Sequence, residues 1–550
     1  MKIMFNSPNE NPQNGFIASL QRWSRWGFWA GAILVVFAVY DLGGVAFKDP
    51  YGMHQWRQCD AYSMALNFAL EERDLFHPSM HFLHGTGTGE AAGEFPLTYF
   101  LNGRLWRGTG IWPWTLRWMH LAMLLAGIGA LFSLCRRFIS LQSSLLVAWM
   151  TMMSGLMAFY GPNYLVNAAA LGWVFIGWWS AERWHRNGMV RDRWLALMLG
   201  ALTLAALFRP TMVLGWIPLL VATVHVRKRR IWLLACFLPI CVGIGWILWA
   251  KMLNAANGSV YFLTTIRPVW EALDPWTVWH SFREDVLPQW HHPFVLLATL
   301  LIMVVTLLKT GRSDNPAERS VGFSWLGMLV GLMAYFVLWF ENLDVHDYYL
   351  IEFQLIIPIT FGWIMLRWEG LPPGLWRRIV FGIAWTALVF QGLESAIRTR
   401  MKHQPVGGWL AETFIPQRER DIWSWHHWDQ ERRFSNISEW EAVLRSLGID
   451  RLDGVISIPD PSPNITLSLI DQRGFTNLYD DAFQGEDRIA FYVSKGAKYL
   501  ICNDPDAHAA LQESPWLSRE LTNLGNFRVF DLLNSDATLH SRERNQHPEE

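Results

Sequence analysis

Two stretches of this chain hold residue types that could do chemistry together. They are His54-Gln55-Trp56-Arg57-Gln58-Cys59-Asp60 and, further along, Gly93-Glu94-Phe95-Pro96-Leu97. A carboxylate such as Asp60 or Glu94 can accept a proton from an attacking hydroxyl as a general base. A guanidinium such as Arg57 offers a planar fork of donors that suits carboxylate or phosphate oxygens. Two acids, an arginine and several histidines therefore read as a candidate active site, with a solvated Asp–Arg bridge as the plain structural alternative. From spacing alone the two readings weigh evenly.

The elements that must position these residues are membrane helices. Hydrophobic residues make up 52% of the chain and charged ones 17%, well under the quarter or so of a soluble domain. The apolar residues come in blocks of about 17 to 22, the length needed to cross a bilayer core. Many of the 34 tryptophans lie at block ends, where interfacial belts form. This composition predicts a polytopic α-helical membrane protein. The first apolar block is too long, and lacks the cleavage signal, to be a removed signal peptide, so it reads as a retained first helix. Cys59, Cys135, Cys236, Cys241 and Cys502 form no CxxC pair, so neither a disulfide framework nor a zinc cluster is expected. Cys59 reads as a buried thiol rather than a nucleophile. No nucleic-acid partner is expected.

In chain order, residues 1 to about 20 are polar and expected to be disordered, and a first helix is predicted over 27–47. A loop at 48–114 carries both motifs. Further spans are predicted near 116–134, 141–159, 164–181, 194–208, 211–226, 231–250, 293–308, 321–340, 349–366 and 379–397, about eleven in all. With the N-terminus inside, the turns at 135–140, 182–193, 227–230, 309–320 and 367–378 are all cytoplasmic and rich in Lys or Arg, as the positive-inside rule requires. The motif loop is then extracytoplasmic, and so is everything after residue 397. Domains are expected at 1–397 (membrane part), 398–533 (a small extracytoplasmic α/β domain) and 534–550 (a disordered tail). Strand-like runs at Gly454–Ile458, Tyr499–Cys502 and Phe527–Leu532 support the α/β reading. Ser438-Glu439-Trp440-Glu441 predicts a capping box opening a helix that Gly448 ends. The glycosylation-like patterns at Asn257, Asn436 and Asn464 are too short to carry weight.

Within the loop, Ala61, Met64, Ala65, Phe68 and Ala69 recur at helical spacing and predict a helix from Asp60. Pro96 predicts the start of a second helix, with Leu97, Phe100, Leu101 and Leu105 as its apolar face. Two such interfacial helices would hold Asp60 and Glu94 at membrane level, and transfer from a lipid-linked phosphate suits that place. Arg209-Pro210 interrupts two apolar blocks, and an arginine so near a membrane is a functional candidate by default; snorkelling is the equal alternative. Asp344-Val345-His346-Asp347-Tyr348-Tyr349 lies at the mouth of a later helix, where His346 or Asp347 could bind phosphate or a metal, or orient a sugar, or simply pack. Arg267, Glu284, Asp285, His291 and His292 in the second outer loop show no metal-ligand spacing.

At these residues the sequence resembles a family, the GT-C class of membrane glycosyltransferases. It is most similar to the protein mannosyltransferase and lipid A aminoarabinose transferase-like group. The resemblance rests on Trp56-Arg57-Gln58-x-Asp60, Glu94-Phe95-Pro96-Leu97-x-Tyr99, Phe208-Arg209-Pro210-Thr211 and His346-Asp347-Tyr348-Tyr349 with Pro358 after it. Lys495-Gly496-Ala497-Lys498-Tyr499-Leu500 is similar to the outer domain of bacterial members. It implies a sugar donor on a polyprenyl phosphate, undecaprenyl phosphate in a bacterial inner membrane, and inverting transfer to a lipid, glycan or protein acceptor on the outer face. It implies Asp60 as catalytic base and Glu94 as a second acid that orients the sugar or Asp60. It further implies His54, Arg57, Gln58, Arg209, His346, Asp347, Tyr348 and Tyr349 as substrate-binding residues. Ala61 stands where many relatives carry a second acid; some relatives use a divalent ion and others none, so no metal ligand is assigned. The competing class is a transporter or flippase of a lipid-linked or polar solute. Transporters place charge in broken helices at mid-membrane within repeated halves, whereas here charge gathers in outer loops and no repeat shows. A structural scaffold would leave the loop charge unexplained.

Overall fold

The computed structural model describes residues 15–223, 226, 228–259, 262, 266–310, 316–344, 346–477 and 486–536. The polar start at 1–14, the tail from 537 on, Arg227 of the basic turn and Val345 of the late motif lie outside the described residues. The chain forms two compact units. The first comprises Met1–Lys48, Trp114–Ile247 and Thr264–Arg420, the second Asp49–Pro113, Leu248–Leu263 and Asp421–Glu550.

The first unit is helical. Trp114–Cys135, Arg229–Asn257 (its last turns in the second unit), Glu318–Leu338, Asp347–Glu369 and Leu375–His403 are long and apolar enough to cross a membrane. Pro275–Trp290 and Pro293–Lys309 meet at 77° and make a sixth span if counted as one. The protein is thus a multi-pass membrane protein, and among the described residues five or six helices have spanning length, where about eleven spans were expected. Several expected spans are broken by identifiable residues. Leu141–Met152 stops before Ser154, whose hydroxyl caps the short helix Gly155–Tyr160 by accepting from the Met157 amide. Arg193–Phe208 ends at Arg209, whose backbone is extended (φ −152°, ψ 99°), because the ring of Pro210 disfavours helix at the residue before it. The chain continues as a 3-10 turn, Pro210–Trp216. Asn167–Arg186 packs between Trp114–Cys135 and Arg193–Phe208. Its approach to the former requires glycine: a Cβ on Gly127 would lie 2.3 Å from the Gly172 backbone, the small-residue contact that lets membrane helices touch.

The second unit is built on a five-stranded sheet, β1 (Gly454–Ile458), β2 (Gly474–Thr476), β3 (Ala497–Cys502), β4 (Glu520–Leu524) and β5 (Phe527–Asp531), in the order β2-β1-β3-β5-β4. β1 runs parallel to β2 and β3, while β3–β5 and β5–β4 are antiparallel. The runs expected as strands are β1, β3 and β5; β2 and β4 were not foreseen. Alternate residues fill two cores, Ile456, Leu500 and Phe530 on one face, and Val455, Ile501 and Val529 on the other, so both faces are covered. The edge strand β2 is extended by the first loop: Leu83 N–H donates to the Gly474 carbonyl (2.9 Å) and Gly474 N–H to that of His81 (3.0 Å). The expected capping box at Ser438 is absent. Helix Ile437–Ser446 starts instead after Asn436 in the left-handed region (φ 61°), which asparagine tolerates.

Candidate active site

The first loop folds as two helices in the second unit, Gln55–Leu70 and Leu97–Thr109. The first begins five residues earlier than expected, so Arg57 and Asp60 share a helical face at i, i+3. The second buries Tyr99, Asn102, Gly103 and Trp106 and leaves Leu101 and Leu105 exposed, which reverses the expected apolar face. Gly103 makes that packing possible, since a Cβ there would come within 2.5 Å of the Phe68 Cβ. Arg107 closes the first helix by donating to the carbonyls of Phe68 (3.0 Å), Ala69 (3.1 Å) and Glu71 (2.7 Å).

These helices bring Arg57, Asp60 and Glu94 together. Arg57 Nη1 lies 3.1 Å from Asp60 Oδ2 and Nη2 lies 2.9 Å from Glu94 Oε2, so one guanidinium bridges both acids. Asn464 Nδ2 donates to Asp60 Oδ1 (3.0 Å) and the Tyr99 hydroxyl to Glu94 Oε1 (2.6 Å). The Phe262 ring lies 5.4 Å from the guanidinium carbon. Burial pushes Asp60 up to about 6, against the pull of Arg57 and Asn464. Burial also opposes ionisation of Glu94, but Arg57 and Tyr99 outweigh it and hold that carboxyl below its ordinary range. The two acids are thus set apart: one titrates near neutrality and the other stays ionised.

A divalent ion between the two carboxylates does not fit this arrangement. Every one of the four carboxylate oxygens already takes an N–H or O–H donor, and the bridging position is held by a cation of the chain itself. Among the described residues no cluster of three or more His, Cys, Asp or Glu is placed to hold a metal.

The other expected residues of this unit serve the loop backbone. The Gln58 amide donates to the carbonyls of Tyr51 (2.7 Å) and Met53 (3.0 Å). His54 precedes the first helix in the left-handed region (φ 51°). Cys59 is fully buried and burial raises its thiol, so it packs.

In the first unit, Glu352, Tyr348 and Tyr349 gather around Arg209, and His346 joins them through Tyr348. Arg209 Nε lies 2.6 Å from Glu352 Oε1, which also accepts from the Thr211 hydroxyl. The Arg209 guanidinium lies over the rings of Tyr349 (4.5 Å) and Tyr348 (5.7 Å), and His346 stacks on Tyr348 with centroids 5.3 Å apart. Arg209 Nη2 and Glu352 Oε2 are buried with no hydrogen-bond partner among the described residues. Asp347 turns elsewhere. Its carboxylate accepts from the Tyr160 hydroxyl and pairs with Lys402 Nζ at 3.4 Å.

Asn464, Tyr99, Glu352, Tyr160 and Lys402 are therefore partners that the sequence reading did not assign. Glu352 was the findable one, an ionisable residue inside an apolar run. Asn464 lies 404 residues from Asp60, a separation at which no spacing signal exists.

No protein-family model and no curated protein sequence matches the chain. Among solved structures, the chain is similar to ArnT from Cupriavidus metallidurans bound to undecaprenyl phosphate, at 11% identity and TM-score 0.52 over 92% of this chain and 98% of that one. It is similar to the same protein in its apo state at 12% identity and TM-score 0.50, over 93% and 98%. An oligosaccharyltransferase of Archaeoglobus fulgidus tethered with an acceptor peptide gives 9% and TM-score 0.48, over 87% and 68%. Matched nearly end to end with the ArnT structures, the chain has their fold.

Proposed function

We propose that the protein is a membrane glycosyltransferase that moves a sugar from a polyprenyl-phosphate-linked donor to an acceptor on the extracytoplasmic face. The observation that carries this reading is the Arg57-bridged pair of acids, with Asp60 lifted to about 6. A base of that pKa is ionised at neutral pH yet able to take a proton, which is the compromise general-base catalysis needs. In the proposed step the acceptor hydroxyl oxygen bonds to the anomeric carbon from the face opposite the phosphate. Its proton passes to Asp60, and the anomeric C–O bond breaks with its electron pair leaving on the polyprenyl phosphate. Glu94, ionised and fixed by Tyr99, orients the sugar or Asp60. Arg209 supplies a guanidinium for the donor phosphate, with Nη2 as the donor that has no partner yet, and Tyr348, Tyr349 and His346 stack around it. Asp347, committed to Tyr160 and Lys402, shapes this segment rather than binding donor. The ArnT likeness supports undecaprenyl phosphate as the carrier, since ArnT was crystallised with it. The basic turns support a cytoplasmic membrane location with the N-terminus inside.

The test is mass spectrometry of envelope lipids, polysaccharide and proteins from a deletion strain carrying either wild type or Asp60→Asn at equal membrane level. A sugar-sized mass that is lost on deletion and returns only with wild type supports the reading and identifies the acceptor. Full restoration by Asp60→Asn overturns it and turns attention to a transporter.

A further inference from the structure

A second site, away from these residues, lies within the first unit. The C-terminal turns of Trp114–Cys135 and Asn167–Arg186, with Ile217–Ala222 and parts of three further helices, line a half-open cavity of about 280 Å³. Its wall is almost wholly apolar and includes Leu131, Trp178, Leu219, Trp232, Ile359 and Leu366. Glu182 also lines it, and Glu182 is ringed by Arg137 (3.3 Å), Arg186 (3.7 Å) and Arg183 (3.9 Å). Three guanidinium groups against one carboxylate leave an excess of two positive charges beside an apolar chamber. Arg183 Nε is buried without a hydrogen-bond partner among the described residues, as is the Glu182 oxygen nearest it.

We propose that this is a binding site for an anionic glycerophospholipid, with an acyl chain in the cavity and its phosphate on Arg137, Arg183 and Arg186. Basic groups at the end of a helix bundle attract anionic headgroups, and the long apolar wall selects a chain-bearing ligand over a free anion. A neutral phospholipid would fill the cavity but leave the excess positive charge beyond Glu182 unbalanced. The plainer role for Arg183 and Arg186 is to complement the C-terminal dipole of their helix, and that role needs no lipid.

Native mass spectrometry of the full-length protein in detergent separates the two, using phosphatidylglycerol and phosphatidylcholine of identical chains. The expected result is one retained phosphatidylglycerol, favoured over phosphatidylcholine on the order of tenfold. Replacing Arg137, Arg183 and Arg186 together by alanine should remove that preference. Ala222→Phe, which fills the cavity and leaves the rim intact, should lose both lipids. Equal retention of the two lipids by wild type overturns the proposal, and that comparison needs no variant to fold. Displacement of phosphatidylglycerol by inorganic phosphate, or by less undecaprenyl phosphate than phosphatidylglycerol, also overturns it, because the site would then serve a free anion or the proposed donor.

Discussion

Asp60 is subject to two opposed influences. Burial drives its proton on, while Arg57 and Asn464 draw it off, and the balance falls at about 6. If Asp60 is the base, the ionised form is the working one, so transfer should rise with pH through about 6 and level off above it. Asn464→Ala removes a donor to the anion, which moves that limb to higher pH; a purely structural Asp60 would leave the limb where it was. Asp60→Asn should lower the rate on the order of 10²–10⁴-fold, the usual worth of a general base. Arg57 yields a second expectation. Because its guanidinium occupies the bridge between the acids, a chelator such as EDTA should leave wild-type transfer unchanged, and Mn²⁺ should give no bound electron-paramagnetic-resonance signal. Arg57→Ala removes the internal cation, and Mn²⁺ should then bind between Asp60 and Glu94. Mn²⁺ binding by wild type at these acids would sink the idea without reference to any activity.

At the scale of elements, the loop helices are tied to the sheet by charge. Glu71 follows the helix Gln55–Leu70 and pairs with Arg73 (2.6 Å), Arg451 (2.8 Å) and Arg473 (2.5 Å), while Arg451 also binds Asp471 at 2.7 Å. Burial opposes ionisation of both acids, yet the arginines bring Glu71 down to about 2, and a His81 hydrogen bond with Arg451 brings Asp471 down to about 2. Burial pushes His81 itself down to about 4, so above that pH it is neutral and Arg451 carries the charge. Both carboxyls titrate lower folded than unfolded, so their stabilisation is fully present above about pH 5 and is lost as pH falls through about 2. Glu71→Gln should therefore cost about 3 kcal/mol, the scale of breaking a buried pair. Thermal melting should show that gap at pH 7 and see it close on acidification. The pairings of Glu71 with Arg451 and Arg473 were not legible in the sequence, because they join residues 380 and 402 positions apart. What was legible is local: the helical spacing of Met64, Ala65 and Phe68, the short strand-like runs that became β1, β3 and β5, and Arg209-Pro210 as a break. The span count is less legible, because a run of apolar residues does not show where a helix breaks: Ser154 and Arg209-Pro210 divide runs that read as continuous spans.

For the whole molecule, the chain crosses repeatedly between two units, and the second collects three separated stretches. Composition suggests that the part after the last membrane helix is a domain in itself, since it is polar and has its own strands. Its contacts argue otherwise. β2 is only three residues long, and its outer edge is occupied by the first-loop segment around Phe82. Phe82 packs against both cores of the sheet, Asn464 spends its amide on Asp60 and its carbonyl oxygen on the Phe82 amide, and Arg451 and Arg473 spend their charge on Glu71. Cut from residues 49–113, the sheet would expose a bare edge strand, which invites aggregation. It would also leave two arginines of the network short of a carboxylate and uncover part of each core. Residues 421–536 expressed alone should therefore melt without a cooperative transition and aggregate. Joining residues 49–113 to them through a flexible linker should restore a single cooperative melt, and the same fusion carrying Glu71→Gln should melt lower. A sharp, reversible transition for 421–536 alone would show instead that the sheet needs nothing from the loop, and that the loop borrows its order from the sheet.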